Sequence, residues 1–485
     1  MKKVFSILLL IALLAEGMTS CGQDTPTETE TESADTAPLE TDETAVTPDV
    51  PEQDFGGYAF RIISTKDSTT LPNEIDCDEQ SGNALSDAVY ERNLLTEEKY
   101  NIVISQVPTN NDYISKFVEN ACIANDDAYD AAVEIIAGFK NCIMSGYLYD
   151  VSDLPYIDAE KPWWTGSMIN SSEIAGKRFL TFGDFLWTDK ARIWTVMFNK
   201  NMAKEAALGD VYALVREGKW TLDTLEEHCQ NVTRDLNGDG AITHEDVWGF
   251  LGSNNTGTGL LSGCGIMATE STGDGLHFLL DSAQNMDALD KVYAFIASDE
   301  KMLRAESITG VPDIWVARTN IFREGRALYQ IDVMEKAVAL RDMEDDFGII
   351  PMPKLDETQA EYTTTYQGWS ARALAVPTTV SDPERNSMIL EYMAYVSRDT
   401  MRPAFYDVTL QGKSVRDKES AEMLDMIIDN VTADIGLALE IGTIRTSITD
   451  MINAESNTIA SSIASVSDAI QAKLDEFYEK VSAID

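Results

Sequence analysis

YAFRIIS at residues 58–64, NALSDAVYERNLLTEEKY at 83–100 and IVISQV at 102–107 decide the fold. The first and third runs read as strands, and the long run between them reads as a helix. Strand, helix and strand in that order form a parallel crossover unit. Two more short apolar runs bounded by turn residues, DAAVEIIA at 130–137 and RFLTF at 178–182, continue the pattern. The expected class is therefore α/β. Near the C-terminus, Ile459, Ile463, Val466, Ile470, Leu474, Phe477 and Val481 step by three or four residues. That spacing puts one apolar stripe on a helix, and the stripe must dock on a lobe.

Upstream of these elements lies a different kind of sequence. Lys2 and Lys3 precede an apolar run from Val4 to Leu14, and Thr19 and Ser20 stand directly before Cys21. The run falls short of the roughly 20 apolar residues that span a bilayer, so it reads as a secretory signal. It resembles a bacterial lipoprotein signal, which implies that Cys21 becomes the lipidated first residue of the mature chain. Residues 22–54 carry 11 acidic residues and no Lys or Arg. Such a segment buries too little apolar surface to offset its ordering entropy and is expected to be a disordered spacer.

Charge and residue counts exclude several functions. The chain has 82 acids against 37 bases, a net charge of −45, of which −35 falls on residues 55–485. Nucleic acid is a poor partner for such a surface, because phosphate binding needs clustered Lys and Arg. Beyond Cys21, the cysteines are Cys77, Cys122, Cys142, Cys229 and Cys264, with no CxxC spacing. They argue against a zinc site and leave at most two disulfides, or free thiols. His228, His244 and His277 are too few for a metal centre.

The sharpest local motif is DLNGDGAITHED at 235–246. Oxygen-bearing side chains stand at loop positions one, three and five (Asp235, Asn237, Asp239), with Gly240 at six and a carboxylate, Asp246, at twelve. With the Ala241 carbonyl at position seven, this spacing wraps oxygen donors round one calcium ion. A single such loop is expected to staple the structure rather than to sense calcium.

WTVMFNKNMAKEAAL at 194–208 is followed by EGKWTLDTLEEHCQNVTRD at 217–235, FREGRALYQ at 322–330, FGIIPMPK at 347–354 and SARALAVPTTVSDPERNSMILEYMAY at 370–395. In this order they resemble family 1 extracellular solute-binding proteins of ABC importers. The resemblance implies two α/β lobes of a periplasmic-binding-protein-like, Venus-flytrap fold with several hinge crossings. By analogy, 55–193 with 372–430 form the N-terminal lobe and 194–371 with 431–485 the C-terminal lobe. It implies a monomeric, non-enzymatic lipoprotein on the extracellular face of the bacterial membrane, touching that membrane through its lipid alone. Its partners would be a small solute and the ABC permease subunits.

Aromatic residues near the expected cleft suggest a carbohydrate, since aromatic faces stack on sugar rings. Trp163, Trp164, Trp187, Tyr366 and Trp369 are the candidate faces, with Asp184 and Gln367 as the polar groups beside them; Trp315 is a further aromatic in the region. Arg326 and Arg341 are expected to pair with surface acids. Two alternatives stay open, the same importer role with a peptide or other polar solute, and a secreted carbohydrate-active enzyme.

Overall fold

The computed structural model describes residues 46–484 apart from 66–70, 78, 108, 110, 112, 231, 299–300, 369 and 410–417. Cys21, most of the acidic spacer and Trp369 lie outside the described residues.

The strands, in chain order, are β1 (Tyr58–Ser64), β2 (Ile102–Val107), β3 (Ala131–Ile135), β4 (Trp194–Asn199), β5 (Trp248–Gly252), β6 (Thr269–Thr272), β7 (Gly275–Phe278), β8 (Met302–Arg304), β9 (Ala327–Val333), β10 (Phe347–Ile350) and β11 (Arg372–Ala375). The first sheet has the order β11-β3-β1-β2, with β1, β2 and β3 parallel and β11 antiparallel to β3. The crossover between β1 and β2 is the helix Ala84–Tyr100. Asn83 starts it by accepting the N–H groups of Leu85 and Ser86, and Asn101 ends it in the left-handed region at φ 49°. This helix packs against helices Pro383–Asp399 and Met401–Thr409.

The second sheet has the order β10-β4-β9-β5-β8. Here β5 and β8 run parallel to β9 while β4 and β10 are antiparallel to their neighbours, so the sheet is mixed. Every residue of β4 and β9 is buried, the pattern of central strands covered on both faces. The hairpin β6–β7 receives the C-terminal helix Ile459–Ser482. Six residues of its apolar stripe are buried and Val466 is half-buried.

Two expectations need correction. Residues 178–182 form no strand; Thr181 makes a single bridge to Leu374 of β11. Helix Lys418–Asp429, expected with the first lobe, packs on β10 of the second sheet. Its buried face, Met423, Leu424 and Ile427, fixes it there, and Arg216 holds Glu422 at 2.8 Å and Glu419 at 3.0 Å.

The sheets are joined where their carboxyl edges lie. β1–β3 end at Ser64, Val107 and Ile135, and Arg372 at the start of β11 pairs with Ile135. In the second sheet β5, β8 and β9 end at Gly252, Arg304 and Val333, and Trp194 at the start of β4 pairs with Val333. The crossing segments 181–194 and 366–372 run between these edges, with Ile193 bridging Tyr366. No helix among the described residues is long and apolar enough to cross a membrane.

Candidate ligand-binding site

In α/β sheets, ligands bind in the crevice outside the carboxyl ends of the strands. Both carboxyl edges here face the crossing segments, and several buried ion pairs lie along them.

On the first sheet's side the loop 183–190 (GDFLWTDK) is fixed from several directions. Glu74 accepts the backbone N–H of Thr188 at 2.9 Å and the Thr188 hydroxyl, and Arg372 reaches it at 3.0 Å. Lys190, 2% exposed, donates to the carbonyl of Gly183 at 3.0 Å and pairs with Asp189 at 3.2 Å and Asp184 at 3.3 Å. Burial pushes the Asp189 carboxyl up, opposed by Lys190. A side chain on Gly183 would lie 2.6 Å from the Trp163 carbonyl, so the close approach of these two segments requires glycine. Asp184 is 4% exposed, and among the described residues its Oδ2 has no hydrogen-bond partner although Arg402 stands 4.0 Å away. A buried carboxylate oxygen without a donor costs free energy until a donor arrives.

On the second sheet's side, Arg318 ties the edge together. It donates to the carbonyl of Gly252 at the end of β5 (3.2 Å) and pairs with Asp332 near the end of β9. Its guanidinium lies over the ring of Trp315, 5.3 Å from the centroid. Trp315 is 43% exposed, whereas Trp163, Trp164, Trp187, Trp194, Trp220 and Trp248 are all buried. Burial pulls the Arg318 pKa down to about 10 and leaves it a cation at neutral pH. Arg192 in the crossing segment pairs with the buried Glu335 at 2.5 Å. The Nε groups of Arg192 and Arg318 have no acceptor among the described residues.

The other expected site residues take different roles. Trp163 and Trp164 present no free face. Their indole N–H groups donate to the two oxygens of Glu391 at 3.0 and 2.7 Å, and their rings meet Tyr395 and Phe185 edge-on. They support the loop carrying Asp184, whose N–H donates to the Trp163 carbonyl at 2.9 Å. Trp187 is 2% exposed, directly before helix Thr188–Ala191. Tyr366 is buried and stacks on Phe182 at 6.0 Å, a crossing residue packed within the hinge. Gln367 donates its N–H to the Arg192 carbonyl at 2.9 Å and accepts from Ser370 Oγ at 2.6 Å. These side chains are large and apolar, or amide-bearing, and sequence alone does not tell a face turned to solvent from one turned to a neighbour. Trp315 carried the usable signal: it sits two residues past the N-cap Asp313, where a helix begins after β8 at the carboxyl edge.

The 235–246 loop lies at the entry to β5, away from these edges. Asp235 accepts the N–H groups of Gly238 at 2.6 Å and Gly240 at 2.8 Å, and both glycines stand in the left-handed region. Asn237 and Asp239 accept from Asp239 N and Ala241 N. Asp246 is enclosed beneath the loop and accepts from Leu236 and Thr243, which holds its carboxyl below the usual range. Arg326 donates to the carbonyls of His244 and Asp246 at 2.8 and 3.2 Å and pairs with Glu324. The donor types suit calcium, yet among the described residues no three Asp, Glu, His or Cys side chains converge on one point. Cys77, Cys122, Cys142, Cys229 and Cys264 are free thiols.

No protein-family model and no curated protein matches the sequence. Solved structures do share the fold. The cyclic α-maltosyl-1,6-maltose binding protein of Arthrobacter globiformis is 13% identical with a TM-score of 0.58, covering 87% of this chain and 100% of its own. An ABC substrate-binding protein of Listeria monocytogenes in complex with cycloalternan is 13% identical, TM-score 0.52, covering 86% and 98%. UgpB of Mycobacterium tuberculosis in complex with glycerophosphocholine is 14% identical, TM-score 0.51, covering 87% and 98%. The fold is therefore the two-lobed, periplasmic-binding-protein-like α/β fold.

Proposed function

We propose that this chain is the solute-capturing lipoprotein of an ABC importer and that its solute is a sugar or oligosaccharide, delivered to the permease subunits. The observation that carries this reading is the exposed ring of Trp315 at the carboxyl edge of the second sheet, with the buried Asp184 Oδ2 on the first sheet's side still without a hydrogen bond among the described residues. An aromatic face with hydrogen-bonding groups beside it suits a pyranose, which has an apolar face and a rim of hydroxyls. The Arthrobacter and Listeria proteins, whose solutes are saccharides, support the same reading.

Ligand held from both edges stabilises the closed arrangement over the open one. A solute that touched one lobe equally in both states would shift no population. The groups described bind and position; no role as nucleophile or acid–base pair is assigned to them. The chain acts as a monomer on the extracellular face of the membrane, held there by lipid on Cys21, and the 235–246 loop takes a calcium ion that stabilises the second lobe.

The UgpB likeness favours a second reading, in which the importer role is kept and the solute is another polar molecule. A thermal-shift panel of oligosaccharides, glycerophosphodiesters and peptides on the purified chain decides between them. Stabilisation by saccharides alone supports the first reading; stabilisation by another class alone replaces it.

A further inference from the structure

Helix Glu335–Ala339 follows β9 at the carboxyl edge of the second sheet and packs against helix Met401–Thr409, which also packs on helix Ala84–Tyr100 beside the first sheet. It therefore stands where the two halves of the site meet. Its first residue, Glu335, is fully buried against Arg192. The next, Lys336, is half-buried and makes no hydrogen bond or ion pair with any described residue.

The charges round Lys336 are engaged elsewhere. Arg192 holds Glu335, and Arg318 holds Asp332. Asp313 caps its helix by accepting the N–H groups of Trp315 and Val316. Burial lowers the Lys336 pKa, and the nearby Arg318 and Arg192 push it the same way against Glu335 and Asp313. A half-buried ammonium without a partner of its own is costly, and hydroxyl groups solvate it without neutralising it. An anion does both. With 82 acids on the chain, a cleft that accepts an acidic solute needs such an uncompensated cation of its own.

Resting on the reading of the cleft as a saccharide site, we propose that the solute is an acidic saccharide whose carboxylate or sulfate is received by Lys336. The experiment is calorimetric titration of the purified chain with trigalacturonate, a sulfated and an unsulfated chondroitin disaccharide and neutral maltotriose. At least one acidic ligand should bind tenfold or more tightly than maltotriose, and the unsulfated chondroitin disaccharide titrated beside the sulfated one separates carboxylate from sulfate, because both carry the uronate carboxylate. Lys336→Met should abolish that advantage and leave maltotriose affinity within twofold, while Lys336→Arg keeps most of it. Equal or tighter binding of maltotriose, or an acidic preference that survives in a folded Lys336→Met variant, overturns the proposal and leaves saccharide binding standing. Binding of none of these ligands overturns both.

Discussion

The guanidinium of Arg318 lies over the indole of Trp315 while the same side chain bridges the ends of β5 and β9. The ring is thus held by a group that is itself anchored to two strands, which makes it a fixed platform. Trp315→Ala should weaken saccharide binding by about 1–3 kcal/mol, the worth of stacking a nucleic-acid base on an aromatic ring. That is roughly a 5- to 150-fold rise in Kd by calorimetry, with the melting temperature little changed because the ring is exposed. An affinity within twofold of the parent chain would move the platform elsewhere.

Asp184→Asn removes one charge and keeps the shape. A hydrogen bond to a charged group contributes about 1.5–3 kcal/mol, so affinity should fall by roughly tenfold or more. Lys190 retains Asp189 at 3.2 Å, so the loop should stay folded. Unchanged affinity with an unchanged circular dichroism spectrum would show that Asp184 serves the loop alone.

Glu391 gives a pH dependence of stability. Burial raises its pKa to about 7 from the ordinary value of 4.5, against the lowering effect of its two indole donors. The folded chain then binds more protons than the unfolded chain between those values, so stability falls as pH rises through that window. The full loss is on the order of 3 kcal/mol. Glu391→Gln should flatten the slope of melting temperature against pH between about 4.5 and 7. The flattening is partial, because burial raises Glu134 in the same way. A slope identical to that of the parent chain would remove Glu391 from this role.

Calcium should stabilise the second lobe if it occupies the 235–246 loop. Binding to the folded state alone adds about 2.7 kcal/mol at a hundredfold excess over Kd. The melting temperature should therefore drop in chelator, and Asp235→Ala should erase the difference. Identical melting curves with and without calcium would leave the loop closed by its own hydrogen bonds.

Cys21→Ala should release the protein from the detergent-rich phase in a phase-partition assay of cells expressing the full chain. Retention of the variant in that phase would place the anchor elsewhere.

Much of the fold is legible in the sequence. β1 and β2 occupy the residues read as strands, and the helix between them starts one residue later than the run that marks it. These elements are local, and the helix is bounded by a side-chain cap at Asn83 and a left-handed Asn101. The C-terminal stripe is equally plain, because a helix of 24 residues repeats its signal several times. The mixed second sheet is not legible, since β4 and β9 are buried at every position and their polar residues Thr195, Asn199, Gln330 and Asp332 mark no solvent face to orient them. The site is harder still. Trp163 and Trp164 look like ligand faces until Glu391, far along the chain, is seen to take both indole N–H groups. Asp184 lies beside the crossing segment, but its burial and its pairing with Lys190 are visible only in three dimensions.

The pairing of β3 with β11 joins residues 132–135 to 372–375. A chain emerging in N-to-C order therefore exposes β3 as a bare edge until the whole second sheet has emerged. Folding of the first lobe has to wait for distant sequence, which predisposes it to slow maturation. A fragment ending near residue 193 would keep that edge open for good, so it should aggregate rather than yield an isolated lobe. Splitting this protein for biosensor use would succeed only at a break that leaves β3 and β11 on the same piece.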